Sequence, residues 1–552
     1  MAAQEIKVKD FETIELQKKP GSLFLKSLKF LAIALLVLGI ILRFANLDLR
    51  PYWYDETYTS LQISGYNDSE VRQQINGQVI PPTALQRYQY PSPEKSVVNT
   101  VQHIAQKEPQ LSPLYFILTR FWVQALGNSV VVTRSLSAVF SLLTLLGMYW
   151  LCRELFKSKS IAWMAVALVA VSPFHVLYAQ EARPPALWAL TIVLSHLALL
   201  RAVRRQTFIG WVLYALSGAI ALYTFFFSFL VLIGHGVYLL VKEQFRITQS
   251  LIAFTCSFAV AAISFSPWLL VFLPNTNQAN HGNNPAIFSA PVFYATRWVR
   301  NLGLLFADFN VGEESSKLVL IPFLVTLLVV TGVVLYAIYS IYRTAPKSVS
   351  LFVCTAIIVP FVPLVLKDLV SGGGVSTVGR YLIPSLLGIH LAVAHLFANQ
   401  FDSATLQLRG RTFWRGVMSA VLLLGVLSCL LMVKSELWWN KAEANLDRQL
   451  ANQVINQANN PLLISDAYFA FALSLSHSLN PTVKLLLVPE NSVPTLPTQA
   501  QGKVFVYRPS PTLLKGLQQR YSLEPVTIQD AYTPGKGGEG SRLWQLTPKP
   551  GG

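Results

Sequence analysis

The chain has 552 residues, of which 53% are hydrophobic and only 13% charged. A soluble protein carries about twice that share of charge. Apolar runs of about 17 to 25 residues, each able to cross a hydrocarbon core, recur from Phe30 to Val433, which excludes a soluble globular chain. The formal net charge of +17 does not point to nucleic acid, because the basic residues are scattered among short loops, where they set membrane orientation. Cys152, Cys256, Cys354 and Cys429 lie in or beside apolar runs with no CxxC or metal spacing. They read as small core residues without a disulfide framework.

The expected fold is mainly α: a polytopic membrane helical bundle of about eleven transmembrane helices with a small C-terminal α/β extracytoplasmic domain. A cytoplasmic tail, 1–22, comes first, and the bundle occupies 23–434. Spans are expected at 23–44, 130–152, 161–178, 186–200, 209–224, 226–241, 250–273, 318–341, 350–366, 381–398 and 415–433. No small-residue cleavage site follows the first run before Arg50-Pro51, so it is a permanent helix and not a signal peptide. With the N-terminus inside, Lys7, Lys9, Lys18, Lys19, Lys26 and Lys29 share a side with Arg153, Lys157, Lys159, Arg201, Arg204 and Arg205. Lys242, Arg246, Arg343, Lys347, Arg409, Arg411 and Arg415 fall there too, whereas the long loop 45–129 carries only six Lys and Arg. That asymmetry sets orientation.

Two stretches test the threading. The uncharged run 209–241 is short for two helices and long for one, and its basic flanks favour a tight hairpin with its outer tip at 223–227. The run 111–127 is apolar but broken by Arg120; as a span it would turn Arg153 to Lys159 outward, so it is expected to be interfacial or re-entrant. Outside the membrane lie the outer loops 45–129 and 274–317 and the domain 435–552. In that domain 439–458 has an amphipathic helical pattern, and strands are expected at Leu462–Ser465, 483–488 and Val504–Tyr507, with helices at 467–478 and 511–521.

Chemistry is sought where polar residues meet the outer boundary. Soon after the first span comes Arg50-Pro51-Tyr52-Trp53-Tyr54-Asp55-Glu56. It is either an interfacial aromatic belt with two solvated acids or a carboxylate base beside a sugar-stacking surface of Trp53 and Tyr54. Partial burial under aromatics would bring such a base toward the operating pH. After the third span, Gln180-Glu181-Ala182-Arg183 is either a helix-end ion pair or part of the same site. Late in the chain, Ser371-Gly372-Gly373-Gly374-Val375-Ser376 leads to Arg380-Tyr381. Arg380 either snorkels to headgroups or closes on a phosphate behind a mobile loop, a task the guanidinium suits. His103 and Glu108 lie in the first loop as further candidates. His175 and His235, in or near spans, read as hydrogen-bonded core residues.

Taken in order, these landmarks resemble the bacterial GT-C glycosyltransferases of the dolichyl-phosphate-mannose protein mannosyltransferase and aminoarabinose-transferase type, a glycosyltransferase family 39-like group. The matching stretches are Trp53-Tyr54-Asp55-Glu56, Ser112-Pro113-Leu114-Tyr115-Phe116, Ser172-Pro173 through Gln180-Glu181-Ala182-Arg183, and Arg380-Tyr381-Leu382-Ile383-Pro384. They cover about 1–400, and the terminal domain matches only in kind. Many relatives carry His-Pro-Pro-Leu-Tyr where this chain has Leu111-Ser112-Pro113-Leu114-Tyr115, and Tyr-Thr-His where it has Tyr223-Thr224-Phe225. No metal ligands are therefore assigned and no cofactor is named, although a divalent metal is left open.

The resemblance implies a multi-pass protein of the bacterial inner membrane that transfers a sugar, with inversion, from a polyprenyl-phosphate donor to an acceptor hydroxyl on the outer face. The acceptor is a lipid, a protein or a polysaccharide, and nucleic acid has no part. Asp55 would be the base, Glu56 would orient acceptor or base, and Glu181 would bind sugar or tune Asp55. Arg183 and Arg380 would hold the phosphate, with Tyr54, Trp53, Tyr381, His103 and Glu108 lining the substrate. The rivals are a lipid-linked glycan transporter or flippase, which predicts internal repeats that are not seen, and a polysaccharide polymerase or ligase of another membrane fold.

Overall fold

The structure is a computed structural model that describes residues 20–274, 291–312, 315–402, 408–490, 492–495, 502–526, 528 and 541–549. The basic tail with Lys7, Lys9, Lys18 and Lys19, and much of the loop 274–317, lie outside the described residues. The chain is a mainly α, multi-pass helical bundle carrying a small sheet at one end. Among the described residues eight helices are long and apolar enough to cross a membrane, and a bent pair brings the number to nine. The expected hairpin is there as Phe208–Thr224 and Ser228–Lys242, with 17 and 15 residues. At 1.5 Å per residue these reach only about 26 and 23 Å, short of a core of about 30 Å. The expectation of eleven crossings stands or falls on this pair.

The span expected at 161–178 is not continuous. It breaks into Lys159–Ala170 and Pro173–Ala179, bent by 60°. Pro173 lacks an N–H and disfavours helical backbone at the residue before it. The carbonyls freed at the break are taken by side chains from other helices: Arg43 donates to Val169 O at 3.0 Å and Ala170 O at 2.8 Å, and the Cys429 thiol donates to Val171 O at 3.4 Å. A buried arginine at the end of the first helix is thereby explained as a cap on another helix's C-terminus. Gln180, beyond the break, returns the favour: its Nε2 donates to Leu42 O and Ala45 O at the end of the first helix. All four cysteines are free thiols. His235 is bonded in the core to Tyr214 and His196, as expected, whereas Nε2 of the buried His175 has no partner.

The apolar helix Leu114–Leu126 has 13 residues, too few to cross. Arg120 explains its position: buried, it donates to Ile63 O at 2.5 Å, to Ser64 O at 3.1 Å and to Lys95 O, tying the helix to the first loop.

At the sheet-bearing end the first loop and the C-terminal segment fold as one body. The strands are β1 (Val79–Ile80), β2 (Leu462–Ser465), β3 (Lys484–Leu487), β4 (Val504–Tyr507), β5 (Tyr521–Pro525) and β6 (Leu543–Pro548), in the order β1-β3-β2-β4-β6-β5. The three expected strands are the parallel centre, β3-β2-β4, and the other pairings are antiparallel. β1 comes from the first loop, and Leu61, Val71, Ile75 and Leu85 of that loop share a core with Leu450, Leu463, Phe469 and Leu473. The loop 45–129 thus contributes a strand and core residues to the sheet of the segment 435–552. The stretch 439–458 is not one α-helix either. A turn at Trp439–Lys441 leads to Ala442–Leu450 and then to a π-helical turn, Ala451–Ile455.

The body is anchored to the bundle through Asp308 of the second loop. Buried Asp308 accepts from the indoles of Trp438 at 3.1 Å and Trp439 at 2.9 Å, and its own N–H bonds Ser428 Oγ on the last span. This fixes where the chain leaves the membrane and so where Asn440 and Lys441 enter the site.

Candidate active site

Asp55 and Glu56 stand in the first turn of the helix Tyr54–Ser64, where two carboxylates suit the positive end of the helix dipole. Neighbours on a helix point about 100° apart, and here that separates a cleft from a core. The Asp55 side chain is 16% exposed, and its Oδ2 lies 3.0 Å from Arg380 Nη1 and 3.8 Å from Arg183 Nη2. Arg183 is itself held by its Nη1, which donates to Asp55 O at 3.0 Å and Thr59 Oγ1 at 3.1 Å. Three segments far apart in the chain thus converge on one carboxylate.

Glu56 is not at the cleft. It is fully buried, and four donors occupy its two oxygens: Oε1 accepts from Arg134 Nε at 2.8 Å and Ala182 N at 2.9 Å, Oε2 from Arg134 Nη2 and Lys441 Nζ, both at 2.7 Å. Burial alone pushes its pKa up, but Arg134 and Lys441 outweigh that and hold it down at about 2. A saturated carboxylate of this kind cannot orient an acceptor. It ties together the first loop, the 181–183 turn, the helix Val130–Leu155 and the C-terminal segment.

Glu181 is likewise buried, and its Oε1 accepts from Asn440 Nδ2 at 2.7 Å. Burial raises its pKa, against the opposing charge of Lys441. It therefore sits behind the cleft, among the charges of Lys441, Glu56, Arg50 and Arg380. The expected mobile glycine loop is instead pinned. Asp368 accepts from Val375 N at 2.9 Å and Ser376 N at 2.6 Å, Tyr294 donates to Gly373 O, and Asn301 donates to Thr377 O. Gly372, with φ of 67°, makes the left-handed turn that starts it. Arg380 is presented by a braced loop, so its position is set before any ligand arrives.

Of the aromatic candidates, Trp53 is buried with Lys441 Nζ 5.9 Å from its ring centre, so it offers no sugar-stacking face. Tyr54 remains partly open and packs edge-on against Phe471 of the C-terminal segment. Its hydroxyl is pushed up to about 12, by burial first and then by the charge of Asp55. Tyr381 meets Phe225 and Phe227 at the hairpin tip. His103 is buried on the far side of the first loop, and burial lowers its pKa to about 4, leaving it neutral there. Burial raises Glu108 to about 7, and among the charges that act on it are those of Arg183, Asp55 and Asp68.

The residues missed from sequence are Arg134, Lys441 and Asn440. Arg134 carried a readable signal, since a charge four residues inside an apolar helix is costly and is normally paired.

Residues 107–271, well under half of the chain, match the family described as dolichyl-phosphate-mannose-protein mannosyltransferase. The chain resembles GT-C glycosyltransferases of the protein mannosyltransferase type. The matched mannosyltransferase segment holds Glu108, Glu181 and Arg183 but neither Asp55 nor Arg380. No curated protein matches in sequence. Among solved structures, ArnT from Cupriavidus metallidurans bound to undecaprenyl phosphate is 12% identical, with 93% of this chain and 97% of that one covered and a TM-score of 0.47. The Archaeoglobus fulgidus oligosaccharyltransferase tethered with an acceptor peptide is 13% identical, with a TM-score of 0.45 over 83% of this chain. The present chain spans 64% of that enzyme's length. Likenesses this distant say nothing about substrate.

The positions where mannosyltransferase relatives carry histidines are occupied by other chemistry. Leu111 packs, partly buried, against the apolar core of the bundle, and the Phe225 ring stacks on Trp188 at 4.4 Å. Among the described residues no three His, Cys, Asp or Glu side chains come together as metal ligands would. The site does not fit a metal held as in those relatives.

Proposed function

We propose that the protein transfers a sugar from a polyprenyl-phosphate carrier to an acceptor hydroxyl, with inversion, at the sheet-bearing end of the bundle. The observation that carries this reading is the Asp55 carboxylate between the guanidiniums of Arg183 and Arg380, beside partly open tyrosines. The acceptor O–H attacks C1 of the sugar and Asp55 takes its proton. The bond from C1 to the phosphate oxygen breaks, and the electron pair leaves on that oxygen. A phosphate monoester, with a second pKa near ~6, departs without a general acid. It does need its charge met, and Arg183 and Arg380 are suited to that.

Without donor, Asp55 pairs with both arginines and offsets one of their two charges; a donor phosphate replaces it on Arg380 and frees the carboxylate to act as base. Glu56, Arg134 and Lys441 are positioning residues. A second reading rests on Glu108: burial brings it to about 7, so it is the other candidate base.

Arg380→Lys keeps the charge but loses the planar fork. It is expected to weaken binding of a polyprenyl phosphate to the purified protein by about 10- to 100-fold, the worth of one charged hydrogen bond. Unchanged affinity in Arg380→Ala would remove Arg380 from the phosphate site.

The orientation we propose has the N-terminus in the cytoplasm and the sheet outside the inner membrane, from the clustering of basic residues. Reporter fusions after Ser160 and Gln249 should report the cytoplasm, and one after Lys441 the outside. A cytoplasmic signal at Lys441 would reverse the assignment of the site to the outer face.

A further inference from the structure

At the opposite end of the bundle, the ends of four helices enclose a cavity of about 260 Å³. Lys157 follows Val130–Leu155, Arg204 closes Pro185–Arg205, Lys242 closes Ser228–Lys242, and Ser348 opens Lys347–Ser371. Its lining is divided by chemistry. Leu155, Leu200, Val203 and Val349 form an apolar wall, and Lys157, Arg204 and Lys242 form a basic rim around one lining carboxylate, Glu154.

The rim is not balanced within the protein. Glu154 meets Lys157 Nζ at 3.0 Å, Arg204 Nη1 at 2.8 Å and Arg201 Nε at 3.8 Å. Among the described residues Lys242 pairs only with its neighbour Glu243, at 2.8 Å. Four cations therefore face two carboxylates. Independently, Tyr238 lines the cavity, is 4% exposed, and makes no hydrogen bond through its hydroxyl to any described residue. The ring is buried but the hydroxyl oxygen is accessible, and the residue lines the cavity, where the phenol can donate. The helix Lys347–Ser371 starts beside it without a side-chain cap, which adds positive potential. Phe208, Phe245 and Ile247 are all largely exposed near the same helix ends, an apolar fringe that suits a lipid surface.

We propose that this cavity binds the phosphate headgroup of an anionic phospholipid. The Tyr238 hydroxyl donates to a phosphate oxygen, Lys157 and Arg204 supply the charge, and an acyl chain lies on the apolar wall. Free phosphate would leave that wall unused, and basic pockets between membrane helices suit anionic headgroups.

The test is native mass spectrometry of the full-length protein in neutral detergent, offered equal amounts of phosphatidylglycerol and phosphatidylcholine, with a parallel arm in inorganic phosphate. Phosphatidylglycerol should be retained in preference. Arg204→Ala and Lys157→Ala should each lower its retention about fivefold, the worth of one basic contact at an anionic headgroup. Tyr238→Phe, which keeps the ring packing, should lower it too. Arg246→Ala, an exposed cation at the same end and outside the lining, should leave it unchanged. Equal retention of the two lipids, an equal loss in Arg246→Ala, or inorganic phosphate bound in place of lipid would each overturn the proposal.

Discussion

Asp55→Asn is expected to lower turnover about 100- to 10,000-fold, the usual cost of losing a positioned base, equivalent to about 3 to 5 kcal/mol of barrier. Donor binding should survive and even tighten slightly. The carboxylate competes with a donor phosphate for Arg380, 3.0 Å away, and asparagine competes less. That combination of lost turnover and retained or tighter donor binding separates a base from a residue that merely holds substrate. Glu108→Gln is the necessary partner experiment, because burial raises the pKa of Glu108 to about 7 and the charges of Arg183 and Asp55 act on it. If Asp55→Asn turned over at near wild-type rate while Glu108→Gln was inactive, the base would be Glu108. Thermal stability on the same samples distinguishes a chemical loss from a folding one.

Glu56→Gln should act on the fold and not on the chemistry. Its carboxylate balances Arg134 and Lys441, both about as buried as itself, with side-chain exposures of 1%, 1% and 0%. Removing one member of a buried ion network costs about 3 to 5 kcal/mol, because the remaining charges stay uncompensated. The thermal midpoint in detergent should fall accordingly, while protein that remains folded keeps donor affinity. The pH dependence follows from the same group. Its folded pKa, about 2, lies below the ordinary 4.5, so its stabilisation is complete above about 4.5 and is lost as pH falls toward about 2. The wild type should lose stability across that window and Glu56→Gln should lose less. A Glu56→Gln protein as stable as wild type yet inactive would mean that Glu56 touches substrate after all.

Asp55, Arg183 and Arg380 were legible in the sequence because charge at a membrane boundary stands out against apolar helices. Which of two adjacent acids faces the cleft was not, since that depends on how the helix Tyr54–Ser64 is rolled against Arg134 and Lys441. Lys441 gave no sign, being one cation in an amphipathic stretch whose docking is set by Trp438, Trp439 and Asp308. The eight long spans followed from hydropathy, but the break at Pro173 is stabilised by Arg43 and Cys429 from other helices, which no local reading supplies. The central strands were visible as short apolar runs. β1 was not, because two residues of a long loop become a strand only when β3 offers an edge.

The central claim is that Asp55 acts on a lipid-phosphate sugar. The most direct measurement is mass spectrometry of envelope glycans and polyprenyl-phosphate lipids in cells carrying the wild-type gene, a deletion, or Asp55→Asn at matched protein level. The expected result is one sugar-bearing envelope species lost in both mutants, with the corresponding polyprenyl-phosphate sugar accumulating in both. An unchanged glycan and lipid profile in the Asp55→Asn cells, beside a changed one in the deletion, would contradict it.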